Sequence, residues 1–307
     1  MLNYCSCDSA GLNVALSNCP AILGNAKGGA LIAMIANDGS RNEWPVASTT
    51  FNKAWFDAII NNIDDSKKLR VLPRFENVAT ERAAGSTTAL ASGNNIETEQ
   101  GLRTFGIEFP KADPTFAGCL EAFKCVEHGF VIFLSNNKML MMKDIDDSGA
   151  EVVRQIEMNE QNLQIITGLN IEGNYQKVIA NMEVMQSEKD SNLVVVDVAA
   201  DVNLVRVRGL LDANIDIISA GTTQMVVKVT EKYGAINNKN VIKNLVIADF
   251  SLDNVTDTAS VAITGVTYNA TTGEHTLDYA AQDIADVLEV NVVKTGLDGV
   301  PAQKAVA

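Results

Sequence analysis

Between Ala79 and Gln100 the chain carries only two large apolar side chains, Leu90 and Ile96. The stretches on either side, residues 71–75 (VLPRF) and 102–109 (LRTFGIEF), are rich in the apolar and aromatic residues of a half-buried strand. A segment with so few anchors cannot join a hydrophobic core. Connections longer than about 15 residues are uncommon inside compact domains and are usually functional or disordered. Residues 76–101 are therefore expected to form a long polar arm thrown out from a packed body.

The chain is 307 residues long, enough for two domains at roughly 150 residues each. Asp and Glu number 38 against 24 Lys and Arg, a net charge of −14. Tight binding to nucleic-acid phosphates needs Lys and Arg, so this balance argues against it. No run approaches 18 uninterrupted apolar residues, so no membrane span is expected. The first residues lack a basic region followed by a continuous apolar one, and no signal peptide is expected.

The five cysteines, Cys5, Cys7, Cys19, Cys119 and Cys125, are odd in number and do not read as a disulfide framework. Reduced thiols in a cytosolic environment fit better. Cys5, Cys7 and Cys19, with His128 or His275 as a fourth ligand, lack the paired spacing of structural zinc sites. No metal and no cofactor is expected.

In chain order, residues 1–30 read as an extended N-terminal arm. Residues 31–35 read as a buried strand closed by the turn signal Asn37-Asp38-Gly39. Phe51, Trp55, Phe56, Ile59, Ile60 and Ile63 recur at helical spacing behind the cap candidates Ser48, Thr49 and Thr50. A second helix is expected over residues 113–128, with Asp113 as cap, Pro114 at the first position and Gly129 closing the C-terminus. Residues 130–134 and 139–142 read as a hairpin turning at Asn136-Asn137. Asp144, Asp146, Ser148 and Gly149 match part of a calcium loop, but Gln155 stands where a bidentate Glu is required, so an acidic turn is expected. Strands are expected at residues 163–169, 175–185, 193–196 and 204–207; within 175–185, Val178, Ala180, Met182 and Val184 alternate with mainly polar neighbours.

From about residue 209 short β runs follow one another without a helical pattern: 215–219, 224–230, 244–248, 260–268, 275–279 and 288–293. This texture suggests an immunoglobulin-like β-sandwich. The fold expected is mainly β: residues 1–205 form a β-sandwich or barrel with one or two flanking helices and the long loop 76–101, and residues 206–307 form the second sandwich.

The motifs of common enzyme classes are missing: no GxSxG, Walker A loop, dinucleotide fingerprint or HExxH occurs. An enzyme is not expected. Asn254-Val-Thr and Asn269-Ala-Thr match the glycosylation sequon, which matters only in a secreted chain.

Three stretches carry a resemblance: Leu69-Arg-Val-Leu-Pro73 with Glu76-Asn77-Val78, Glu99-Gln-Gly-Leu-Arg-Thr-Phe105, and Gly209-Leu-Leu-Asp-Ala213. In these the body resembles major structural proteins of tailed bacteriophages infecting Bacteroidetes, and most of all the tail tube family. The resemblance implies a tail-tube-like β-sandwich or barrel with a long loop or hairpin. It further implies rings, commonly hexameric, stacked into a hollow tube that conducts DNA during ejection without binding it specifically. An immunoglobulin-like C-terminal module on the outside, other tail proteins as partners (tape measure, terminator, baseplate), and assembly in the host bacterial cytoplasm into the virion tail would follow. A capsid decoration or minor capsid protein, and a host-surface adhesion module, stay open as alternatives. On this reading the arm reaches another copy of the chain, and Glu97, Glu99, Arg103, Leu90 and Ile96 are the inter-subunit contact candidates.

Overall fold

The structure, a computed structural model, describes residues 25–307 except 81, 93, 100, 113, 125, 169–174, 233–238 and 295. The chain is mainly β and divides into two compact units, one ending at Gly209 and the other running from Leu210 to Ala307. The expected N-terminal arm, the cap Asp113 and Cys5, Cys7, Cys19 and Cys125 lie outside the described residues, apart from residues 25–30.

The first unit runs β1 (Ala26–Ala33), β2 (Glu43–Pro45), α1 (Lys53–Ile60), β3 (Arg70–Val71), β4 (Glu76–Ala79), β5 (Ser86–Ala89), β6 (Asn95–Glu99) and β7 (Thr104–Pro110). It continues with α2 (Pro114–Glu121), β8 (His128–Leu134), β9 (Lys138–Ile145), β10 (Glu151–Arg154), β11 (Ile156–Gly168), β12 (Lys177–Val184) and β13 (Leu193–Asp197). Eleven of these strands form one sheet, whose main path is β2-β10-β9-β8-β11-β12-β7-β4. On one edge of β8 lies β1; on the other, β9 pairs at Ile132–Phe133 and β11 at Gly129–Phe130.

That sheet cannot be flat. Two strands, β11 and β12, separate β8 from β7, which in a flat sheet would place them roughly 14 Å apart. Yet the rings of Phe105 on β7 and Phe130 on β8 are 6.1 Å apart. The sheet therefore curls over a core of Phe75, Phe105, Ile107, Phe109, Phe130, Ile132, Ile156 and the inward side chains of β12. Each such fully buried side chain contributes roughly 1.5–3 kcal/mol.

Gln155 marks the bend, where the chain stops pairing with β9 and begins pairing with β8. It is wholly buried and lies against Gly129, where a Cβ would sit 1.8 Å from Gln155 Cγ. Gly129 is therefore a close-approach residue inside β8, and the expectation that it closes a helix is corrected. Helix α2 ends seven residues earlier than expected, and His128 begins a strand.

Both helices are amphipathic and flank the sheet. Phe56 and Ile60 of α1 are buried, with Phe56 6.2 Å from Phe133 on β8. This explains why β8 is apolar from Phe130 to Leu134: Phe130, Ile132 and Leu134 serve the inner core, while Phe133 meets α1. The cap of α1 is Asn52, whose Oδ1 accepts from Trp55 N at 2.9 Å, and not one of Ser48–Thr50. Ile63, expected on the apolar stripe, lies beyond the helix and is fully exposed. Helix α2 places Leu120 in the core and Phe116 5.0 Å from Phe109.

The second unit contains β14 (Leu211–Ala220), β15 (Gln224–Glu231), β16 (Phe250–Asn254), β17 (Ala259–Ser260), β18 (Ile263–Asn269), β19 (Glu274–Tyr279), β20 (Val287–Val292), β21 (Leu297–Val300) and β22 (Ala302–Ala305). A five-stranded sheet, β18-β19-β15-β14-β21, faces a four-stranded one, β17-β16-β20-β22. Met225, Val227, Val229 and Leu277 from the first pack with Leu252, Leu288, Val290 and Val292 from the second, the expected sandwich. At Pro301 the last strand passes from one sheet to the other.

Two expected strands are single 3-10 turns instead, Leu204–Arg206 and Ile247–Asp249. In the first, Leu204 is buried and its N–H is taken by Asn137 Oδ1 at 3.0 Å. In the second, Asn244 has φ 58°, and the Asp249 carboxylate accepts from Val246 N at 2.9 Å. Left-handed backbone and a side chain competing for the amide both end a ladder.

Candidate interaction arm and its anchor

The polar stretch forms an antiparallel ribbon. It leaves the sheet where β4 pairs with β7, at Glu76 opposite Glu108 and Ala79 opposite Gly106. It continues through the bridge Arg82–Arg103 and the bond from Ala83 N to Leu102 O, 2.8 Å long. Beyond that, β5 and β6 make a separate two-stranded sheet, closed by Leu90 N to Asn94 O at 2.7 Å. Among the described residues these two strands pair with no other strand. Ser86-Thr-Thr-Ala89 is exposed at every position, so neither face has a core to lie on. An isolated two-stranded hairpin is marginally stable in water.

Its base, by contrast, is tied down. Arg82 and Arg103 stand opposite one another, and both guanidinium groups converge on the Asp190 carboxylate. Arg82 donates to Asp190 Oδ1 from Nη2 at 2.7 Å and from Nε at 3.1 Å. Arg103 donates from Nη2 to Oδ2 at 2.8 Å and from Nε to Oδ1 at 3.1 Å. Their remaining donors hold the arm's own backbone: Arg82 Nη1 to Gly101 O at 2.6 Å and Arg103 Nη1 to Thr80 O at 2.7 Å. The hydrogen bonds from Arg82, and next those from Arg103, hold the Asp190 carboxyl at about 2, well below the ordinary 3.8. At Gly101 the two ribbon strands approach so closely that a Cβ would fall 1.8 Å from Ala83 O.

Asp190 is itself positioned from inside the body. Two residues earlier, Glu188 is 4% exposed and binds buried Arg154 through two oxygens, at 2.5 and 3.1 Å. Arg154 also binds Asp144 at 2.7 Å, and Glu188 O accepts from Arg82 Nη2 at 3.1 Å. One short loop thus faces inward through Glu188 and outward through Asp190. Breaking a buried pair of this kind costs about 3–5 kcal/mol, because the remaining charge stays buried.

Of the residues singled out in sequence, Leu90 and Ile96 are 43% and 46% exposed, although both are large and apolar. Glu99 is exposed, with Ser86 Oγ 3.4 Å from its Oε2. Nothing is described of the Glu97 side chain. Arg103 belongs to the clamp within its own chain, bonded to Asp190 and to Thr80 O. Arg82, Glu188, Asp190 and Arg154 were missed. No local pattern links residues 187–192 to positions about a hundred residues away.

Three other chemistry-bearing residues, Asp146, His128 and Asn254, are engaged in structure. Asp146 Oδ1 accepts from Ser148 N, Ser148 Oγ and Ala150 N, an acidic turn completed by Gly149 at φ 85°. His128 Nδ1 lies 2.7 Å from Val126 O. Asn254, in one of the two sequons, is 1% exposed and bonded to Asp257, Gln282 and Asp286. Among the described residues no group of three or more His, Cys, Asp or Glu is placed to hold a metal ion. No protein-family model matches the chain, and no curated protein matches it significantly.

Proposed function

We propose that the chain is a virion structural protein, a subunit that stacks in rings to form the tail tube of a bacteriophage, with the hairpin arm as a contact to a neighbouring copy. The observation that carries this reading is the contrast within the arm. Its base is fixed by two arginines on one carboxylate, whereas its distal hairpin lies exposed and, among the described residues, pairs only with itself. An anchored base presents the hairpin in one direction and lowers the entropy lost on binding. Head-to-tail contacts that close a ring gain area from such arms. The acidic charge balance supports a channel past which DNA slides, because carboxylates repel phosphates. Among the described residues no helix is long and apolar enough to cross a membrane.

The test is electron microscopy of the purified full chain by negative staining. Long hollow tubes are the expected product. Replacing residues 86–99 with a short Gly-Ser linker leaves a folded, soluble subunit that no longer polymerises. A chain that stays monomeric at high concentration, or a linker variant that still forms tubes, defeats the reading.

A further inference from the structure

The second unit holds a buried titratable group that assembly leaves unused. His275, on β19, is 0% exposed, and neither ring nitrogen has a hydrogen-bond partner among the described protein atoms. Its ring lies 4.8 Å from that of Tyr268 on β18 and 5.8 Å from that of Phe250 on β16, and its register partner on β15 is Val227. It occupies the inward series His275, Leu277, Tyr279, where the other two fill the apolar core.

Charged groups on the surrounding elements are turned away or taken. Glu274 and Asp278 alternate to the other face of β19, and Asp278 accepts from Gln224 Nε2 at 2.7 Å. Lys228 of β15 lies opposite Asp216, on the face away from Val227. Asp249, before Phe250, is held by Lys294 at 2.8 Å, and Asp253 points away from the inward series Phe250, Leu252, Asn254. On β18 the titratable neighbour is Tyr268.

We propose that His275 is a proton-operated release for the C-terminal sandwich: protonation in mild acid loosens the packing of β15, β16, β18 and β19 and leaves the first unit closed. A neutral imidazole is tolerated in this slot at the cost of one orphan N–H. An imidazolium places a full charge in an apolar core with no counter-ion among the described residues, a far larger penalty. Burial accordingly pushes the group below its ordinary 6.5. The unfolded chain therefore takes up the proton first, so stability is complete above about pH 6.5 and declines as pH falls below it. If the ring stays neutral in the fold down to pH 5.0, the opening constant rises about thirtyfold by that pH.

Hydrogen exchange of the full chain at pH 7.5 and 5.0, corrected for intrinsic rates and read by mass spectrometry, tests this. Peptides from β15, β18 and β19 should lose up to about thirtyfold in protection, while those from β8 to β12 keep theirs. His275→Phe, or His275→Leu should the first variant not fold, should abolish the acid response. Unchanged protection in the wild type at pH 5.0, or an equal loss in the variant, overturns the proposal. The chain has two histidines, so the imidazole resonances of the wild type give a second readout. A His275 signal that titrates near pH 6.5 with the sandwich still protected also overturns it, whether or not the variants fold.

Discussion

Replacing Asp190 with Asn should release the arm at its base and leave the body folded. The substitution keeps the side chain's shape and removes the charge on which two guanidinium groups converge. Lowering a carboxyl from 3.8 to about 2 corresponds to at most about 2.5 kcal/mol, at about 1.36 kcal/mol per pH unit. The Asp190 side chain is 40% exposed, so screening reduces this to about 1 kcal/mol. The arginines are more enclosed, at 13% and 18%, and without the carboxylate they repel one another. A local cost of about 1–2 kcal/mol follows, a factor of roughly 5–30 in the opening equilibrium. Hydrogen exchange should show that factor in peptides covering β4 and β7 and little change in β8 to β10. The sign of the pH dependence is set by the lowered carboxyl: its contribution is present above about pH 4 and is lost as pH falls through about 2. Wild type and Asp190→Asn should therefore draw together as pH falls through that value. An equal loss of protection across the whole first unit, or no loss at the arm base, would refute the assignment of Asp190 as a local latch.

Gly129→Ala should lower stability by about 1–3 kcal/mol, because the new methyl collides with buried Gln155; thermal unfolding measures it, and an unchanged midpoint contradicts the close-approach argument. Glu188→Ala should cost about 3–5 kcal/mol by leaving Arg154 buried with Asp144 as its remaining carboxylate; denaturant titration showing under 1 kcal/mol would mean that water already reaches the pair. Removing residues 210–307 should leave tube formation intact if the second unit is external, and loss of tubes in micrographs of the truncated chain would make it part of the assembly contact.

Much of the fold was legible in the residues. The strict alternation in β12, the unbroken apolar run of β8 and the turn residues at 37–39 each report a local pattern that the fold then satisfies. The errors fell where a local pattern admits two outcomes. Residues 204–207 and 244–248 are apolar enough for strands, but side chains from Asn137 and Asp249 take the amides a ladder would need. Gly129 reads equally well as a helix end or as a contact point, and its partner Gln155 decides which. The arm was legible for the opposite reason: an absence of apolar residues excludes a core wherever the chain goes.

By itself, the sequence determined that residues 79–100 would be solvent-facing, that the chain would be mainly β, and that its second part would be a run of short strands. These follow from side-chain hydrophobicity and spacing, which neighbours along the chain settle between themselves. Tertiary structure alone decided that Arg82 and Arg103 share Asp190, 108 and 87 residues away. It alone bent the sheet at Gln155 and placed His275 in an apolar slot without a hydrogen-bond partner among the described residues. Such pairings depend on the path of the whole chain, because a charge or a ring takes its meaning from what the fold brings within a few ångströms of it.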